Sequence, residues 1–104
     1  MESPMFYDKD GTPIEKVEYW AKKYQEPGYK RVAETTLSDG TWISTVWLEL
    51  NYRLWGDGPP LIFETMVFPA QDDLAELDMD RYSTLTEAEA GHIAMVEYWK
   101  GIIP

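Results

Sequence analysis

Residues 31–37 (RVAETTL) and 41–52 (TWISTVWLELNY) are runs of β-branched and aromatic residues flanking Ser38-Asp39-Gly40. No other feature constrains the fold as strongly. Asp-Gly is a preferred pair for a two-residue type I′ hairpin turn, because both central positions take positive φ. A turn of that length at 39–40 sets Leu37 opposite Trp42, Thr35 opposite Ser44 and Ala33 opposite Val46 on one face. The other face then carries Thr36 with Ile43, Glu34 with Thr45 and Val32 with Trp47. The first face continues through Leu48, Leu50 and Tyr52, which assigns it to the core. The second mixes Trp47 and Val32 with Thr45, Glu49 and Glu34, which marks it as partly exposed.

The Gly/Pro-rich connection WGDGPP (55–60) leads into LIFETMVF at 61–68. There Leu61, Phe63, Thr65 and Val67 alternate with Ile62, Glu64, Met66 and Phe68, and Pro69 ends the ladder. Upstream, Asp10-Gly11 forms a turn before a helix expected from Pro13 to about Tyr24. Thr12 is its N-cap, Pro13 its first position, and Pro27-Gly28 its end. Residues 70–90 hold seven acids against the single base Arg81 and read as a solvated acidic loop. From about Thr84 a second helix begins, with Thr84 or Thr86 as its cap and Thr84 and Glu87 at capping-box spacing. Leu85, Ala88, His92, Val96 and Trp99 form its apolar stripe, with Met95 beside it and Gly101 as its stop. These elements predict an α+β domain spanning residues 1–104. It has a small antiparallel sheet of three to four strands, the fourth being an extra N-terminal one, with one or two helices packed on one face.

Composition narrows the function classes. Nineteen Asp and Glu against nine Lys and Arg leave a net charge of −10. That argues against direct nucleic-acid binding, which draws its affinity from cations that displace counterions. It argues equally against an anionic membrane surface. No apolar run approaches the ~20 residues of a membrane span. The start MESPMFYDKDG carries no secretory signal, so a soluble cytoplasmic protein is expected. The chain has no cysteine, which removes disulfides, thiolate nucleophiles and cysteine-ligated metals.

Chemistry is sparse. No nucleotide-binding loop, metalloprotease motif or nucleophile elbow occurs, and no cofactor or metal is implied. The acids Asp72, Asp73, Glu76, Asp78 and Asp80 lack the glycine and terminal glutamate of an EF-hand loop in register. The single histidine, His92, lies on the apolar stripe of the last helix, as a core residue or a ligand contact. Trp47 and Trp55, on the less apolar sheet face and the Gly/Pro loop, suit stacking on a ligand or anchoring a protein. Ser44 and Thr45 add hydroxyls on the same strand. The structural alternative packs Trp47 against Met66 and Val32. Glu64 stands in an otherwise apolar strand, as a partner for Arg81 or facing solvent beside Trp47. Ser44, Thr45, Trp47, Trp55, Glu64, Arg81, Tyr82 and His92 are therefore the candidate binding residues. A small-ligand site would require Trp47, Glu64 and Arg81 to converge.

The segments TTLSDGTWISTVWLELNYRLWGDGPPLIFETMVF (Thr35–Phe68) and RYSTLTEAEAGHIAMV (Arg81–Val96) make up about half of the chain. Together they resemble a widespread group of small phage and prophage proteins with no assigned activity. The matching polar or special residues are Ser38, Asp39, Gly40, Thr41, Ser44, Thr45, Trp47, Glu64, Thr65, Arg81, Tyr82 and His92. The resemblance implies a viral origin and a compact fold, and with the cytoplasmic expectation above this gives the host cytoplasm as the expected location. It carries no reaction, which directs the reading to binding rather than catalysis. The expected function is a phage accessory protein that antagonises a host process, antiviral defence being the natural target, by binding a host protein or sequestering a small signal molecule. Two alternatives stand beside it: an acidic nucleic-acid mimic that blocks a DNA-binding host enzyme, and a virion or assembly component. The exposed sheet face is equally suited to a homodimer interface.

Overall fold

In the computed structural model, which describes residues 6–15, 28–53 and 55–102, the chain is α+β. β1 (Phe6–Tyr7) and β2 (Pro13–Ile14) form a two-stranded ribbon. β3 (Arg31–Thr36), β4 (Trp42–Trp47), β5 (Phe63–Phe68) and β6 (Asp78–Tyr82) form an antiparallel sheet in the order β3-β4-β5-β6. The helix α1 (Leu85–Ile102) lies across one face of that sheet and touches all four strands. Ile14 belongs to β2 and not to a helix; the rest of the helix expected at 13–24 lies almost entirely outside the described residues.

The β1–β2 and β3–β4 loops are built on the same tripeptide, Asp-Gly-Thr, at 10–12 and 39–41. At Leu37–Thr41 the Leu37 N–H donates to the Thr41 carbonyl at 2.8 Å, and the Gly40 N–H donates to the Leu37 carbonyl at 2.9 Å. At Asp8–Thr12 the Asp8 N–H donates to the Thr12 carbonyl at 2.8 Å, and the Gly11 N–H to the Asp8 carbonyl at 2.9 Å. Asp39 and Asp10 each accept the amide of the threonine two residues on, at 2.9 Å. Gly40 and Gly11 sit at φ of 95° and 88°, the left-handed region a β-carbon disfavours. Each is a three-residue loop, a type I turn closed by a glycine bulge, and not the two-residue type I′ turn expected from Asp-Gly. The backbone amide and the hydroxyl of Thr41 hold the Asp39 carboxyl below its ordinary range.

The extra loop residue shifts the register by one. Thr36 pairs with Trp42, Thr35 with Ile43, Glu34 with Ser44 and Ala33 with Thr45. A one-residue slip turns a strand over relative to its neighbour. Leu37 and Thr35 therefore face the helix as expected, but on β4 the assignment reverses. Ile43, Thr45 and Trp47 are buried, with Trp47 only 1% exposed, while Trp42, Ser44 and Val46 lie on the open face. The apolar face expected to run on through Leu48 and Leu50 breaks at Glu49. That residue takes a φ of 76° just beyond β4, and its carboxylate pairs with Lys30. A second irregularity, a bulge between Arg31 and Ala33, places Arg31 and Glu34 on the same open face, where they form an ion pair at 2.7 Å.

The segment read as an acidic loop supplies the fourth strand. Across β5 and β6, Glu64 pairs with Arg81, Thr65 with Asp80 and Met66 with Met79. The N-terminal strand exists, but as the β1–β2 ribbon. It docks on the end of β4 through a bridge from Phe6 to Leu50 and a Tyr7 N–H···O=C bond to Glu49 of 2.7 Å.

α1 starts as its sequence predicts. Thr84 Oγ1 accepts the Glu87 amide at 3.1 Å, and the Glu87 carboxylate accepts the Ser83 and Thr84 amides at 3.1 and 3.2 Å. Leu85, Ala88, His92, Met95, Val96 and Trp99 face the sheet. The helix does not stop at Gly101 but runs to Ile102. Trp99 Nε1–H donates to Asp78 at 3.0 Å and pins the last turns to the start of β6.

Gly91 is the close-approach point between helix and sheet. A β-carbon there would overlap the Tyr82 ring at Cε1, Cζ and the hydroxyl. Gly91→Ala is expected to lower stability by about 1–3 kcal/mol, although alanine alone favours a helix by ~1 kcal/mol over glycine. In a Tyr82→Ala background the sign reverses, and the same change gains about 0.5–1 kcal/mol. Urea unfolding of the four proteins checks this; equal effects in both backgrounds would show that Tyr82 does not occupy that space.

Candidate functional site

The sheet presents two chemically different faces, and the candidate residues divide between them. On the helix side the core falls into two apolar clusters. One contains Ile14, Trp47, Ile62, Phe63 and Ala88; the other contains Leu37, Ile43 and Val67. A polar layer runs between them. Thr35 Oγ1 lies 2.9 Å from His92 Nε2, and Thr45 Oγ1 lies 2.7 Å from His92 Nδ1. Thr45 and Thr65 share a 2.5 Å hydroxyl–hydroxyl bond, and the Tyr82 hydroxyl donates to Thr65 Oγ1 at 3.1 Å. One chain of five groups thus links β3, α1, β4, β5 and β6.

One direction of donation uses every group in this chain once. Tyr82 donates to Thr65, Thr65 to Thr45, Thr45 to His92 Nδ1, and the Nε2–H of His92 to Thr35. With Tyr82 donating, reversing the Thr65–Thr45 bond would leave Thr65 accepting twice with its own proton unmatched. No buried side-chain nitrogen or oxygen among the described residues lacks a partner. His92 is 5% exposed, and burial lowers its pKa below 6.5, so the ring is held neutral. Burial, reinforced by the charges of Asp80 and Asp78, raises the Tyr82 phenol above its ordinary value. Both ring nitrogens of His92 are engaged inside the protein, and neither is presented to a substrate. Thr45, Tyr82 and His92, singled out in the sequence, meet here. Thr65 entered only through the resemblance, and Thr35 was not singled out at all.

Trp47 is on this side too. Its indole N–H donates to the Tyr7 carbonyl at 2.7 Å, and its ring meets Tyr29 edge-on at a centroid distance of 5.2 Å. It cannot join Glu64 and Arg81, which lie on the opposite face. Nor does it pack against Met66 there, although Val32 does border its cluster. The convergence required for a small-ligand site on Trp47, Glu64 and Arg81 does not occur.

The open face is arranged in rows set by the register. The first carries Arg31, Val46, Glu64 and Arg81, the second Glu34, Ser44, Met66 and Met79, and the third Thr36, Trp42 and Phe68. Arg81 Nε donates to Glu64 at 2.9 Å, which resolves the glutamate expected in an apolar strand into a cross-strand ion pair. The Arg81 guanidinium also stacks over the Tyr52 ring, 5.2 Å from its centroid. At the other end the Trp42 and Phe68 rings lie 5.4 Å apart at 31°. Between these ends Trp42, Val46, Met66, Phe68 and Leu74 line a groove of about 280 Å³, with Ser44 and Glu64 as its polar contributors. No described element covers it.

Trp55 is 83% exposed on the connection between β4 and β5. The neck of that connection is closed by Asn51, whose side-chain oxygen accepts the amides of Arg53 and Leu61 at 2.8 and 2.9 Å. Arg53 lies against Gly58 and donates to the Pro59 carbonyl at 2.8 Å. Trp55 therefore stands in solvent on a braced loop, apart from the groove residues.

The groove residues Trp42, Met66, Phe68 and Leu74 were missed by sequence reasoning. The signal that finds the first three is the alternation on β5: the face with Phe63 and Val67 is the more apolar one, and whatever pairs with it must share the core; nothing local marks Leu74. Among the described residues no group of three or more His, Asp or Glu side chains comes together as metal ligands. No described helix is long and apolar enough to cross a membrane. No family model, curated protein or solved structure matches the chain.

Proposed function

We propose that this chain is a binding protein that works through its open sheet face and covers a host protein, the viral setting being the one that the resemblance of its central and C-terminal segments suggests. The observation that carries this reading is the division of labour between the faces. The acid–base group His92 is locked in a satisfied internal network, while aromatic and aliphatic side chains line an uncovered groove on the other side. An exposed apolar patch rimmed by polar groups is the usual mark of an interaction surface. At about 280 Å³ the groove lies at the lower edge of the ~300–1,000 Å³ of sites that enclose a small ligand, and no described element closes over it. An open groove suits the anchoring side chains of a protein partner better than a sequestered signal molecule. Antagonism of host defence is the biological form this binding takes in our reading.

Site-specific photocrosslinking tests it. A benzoylphenylalanine at Ser44, on the open face, is expected to trap a defined host protein in lysate. The same group at Ile93, 64% exposed on α1, is expected to trap none. Adducts from Ile93 alone, or an adduct of twice the chain mass from Ser44, would contradict the reading, the latter in favour of a homodimer.

A further inference from the structure

We infer that the open-face groove takes a cationic segment carrying apolar anchor side chains; this rests on the open-face reading above and names the chemistry of its partner. The floor, formed by Trp42, Val46, Met66 and Phe68, offers apolar contact, and the Trp42–Phe68 pair offers ring faces. The segment at its rim has one sign of charge. Leu74 lines the groove from the segment between β5 and β6, its sequence neighbours there include Asp72, Asp73 and Glu76, and residues 70–80 contain no Lys or Arg. Residues 71–77 are all exposed.

The cations on the open face do not offset this rim. Arg81 is bonded to Glu64 and Arg31 to Glu34, so each brings its own carboxylate. The unpaired charge that the Leu74 segment brings beside the groove is therefore acidic, in keeping with the −10 charge of the whole chain. A partner with Lys or Arg flanking one or two apolar residues satisfies floor and rim together. An acidic or neutral segment satisfies only the floor.

Three blocked twelve-residue peptides test this against the full chain. The first carries two leucines and a phenylalanine among six lysines. The second has the lysines replaced by glutamates, and the third has the three apolar residues replaced by serines. The first peptide is expected to bind at least about tenfold more tightly than either of the others. It should shift the Trp42 indole N–H and the Met66 methyl resonances and leave those of Trp47 unchanged. Leu74→Ser, at a 69% exposed position, should weaken it. Asp72→Asn/Asp73→Asn/Glu76→Gln should weaken it about tenfold and flatten its salt dependence.

Equal binding of the glutamate peptide would overturn the charge assignment but leave the open face as the binding surface. Equal binding of the serine peptide, or shifts confined to α1, would overturn the groove itself. Failure of all three peptides would overturn this inference, whereas the crosslinking contrast between Ser44 and Ile93 decides the reading beneath it.

Discussion

Trp47→Ala is expected to cost about 3–5 kcal/mol of folding stability, and Trp42→Ala about 1 kcal/mol, although the two side chains are identical and five residues apart on one strand. Trp47 is 1% exposed, packs in the cluster of Ile14, Ile62, Phe63 and Ala88, and donates to the Tyr7 carbonyl. Its removal opens a cavity and leaves that carbonyl without its partner. Trp42 loses a tilted contact with Phe68 and a long bond of 3.4 Å to Glu34 at the surface. For a domain of this size the first loss is of the same order as the whole margin of stability. Chemical denaturation read by far-UV circular dichroism checks both values. A larger cost at Trp42 would place the wrong face of β4 in the core.

The second large effect centres on His92. His92→Ala is expected to cost about 2–4 kcal/mol, because it opens a cavity and strips partners from Thr35 and Thr45 between two apolar clusters. Thr45→Val should cost about 1–3 kcal/mol, since it leaves His92 Nδ1 and Thr65 without Thr45. The double variant should fall short of the sum by about 0.5–3 kcal/mol, because both changes break one network. Ser44→Val, one residue away on the open face, should lie within ~0.5 kcal/mol of wild type. Additive losses, or a Ser44 effect as large as that of Thr45, would contradict the network.

The same histidine sets a pH dependence. Its folded pKa is depressed below 6.5 by burial, so protonation favours the unfolded chain. Its contribution is present above pH 6.5 and is lost as pH falls through the lower folded value. His92 is the only histidine in the chain, so the difference in stability between wild type and His92→Gln should narrow from pH 7.5 to pH 5. A constant difference would show that folding does not displace the pKa, and a widening one that the folded site favours the charged ring; either would contradict the account.

Much of this architecture was legible in local chemistry. The capping box at Thr84 and Glu87, the apolar stripe of α1 and the strand expected at 61–68, which forms at Phe63–Phe68, each follow from signals within a few residues. So does the α+β class. The face of β4 was not legible, for two physical reasons. Asp-Gly supports both a two-residue and a three-residue loop, and these differ by one position of register. Thr45 and Glu49 also made the odd-numbered face look wet. Thr45 is buried because Thr65 and His92, distant in sequence, satisfy its hydroxyl, and Glu49 lies beyond the strand. β6 was hidden by its acids, which an edge strand tolerates and which discourage edge-to-edge pairing. The groove was lost with the register, whereas the Glu64–Arg81 pair, one of two roles read for Glu64, survived because it does not depend on the β3–β4 loop.

Hydrogen exchange and paramagnetic broadening of the tryptophan indoles by a dissolved nitroxide put the two faces of β4 to the most direct test. The account predicts that the Trp42 resonance broadens and exchanges quickly, while that of Trp47 stays sharp and exchanges only with global unfolding. A protected Trp42 beside a broadened Trp47 would contradict it, and the open-face groove would have no place on the molecule.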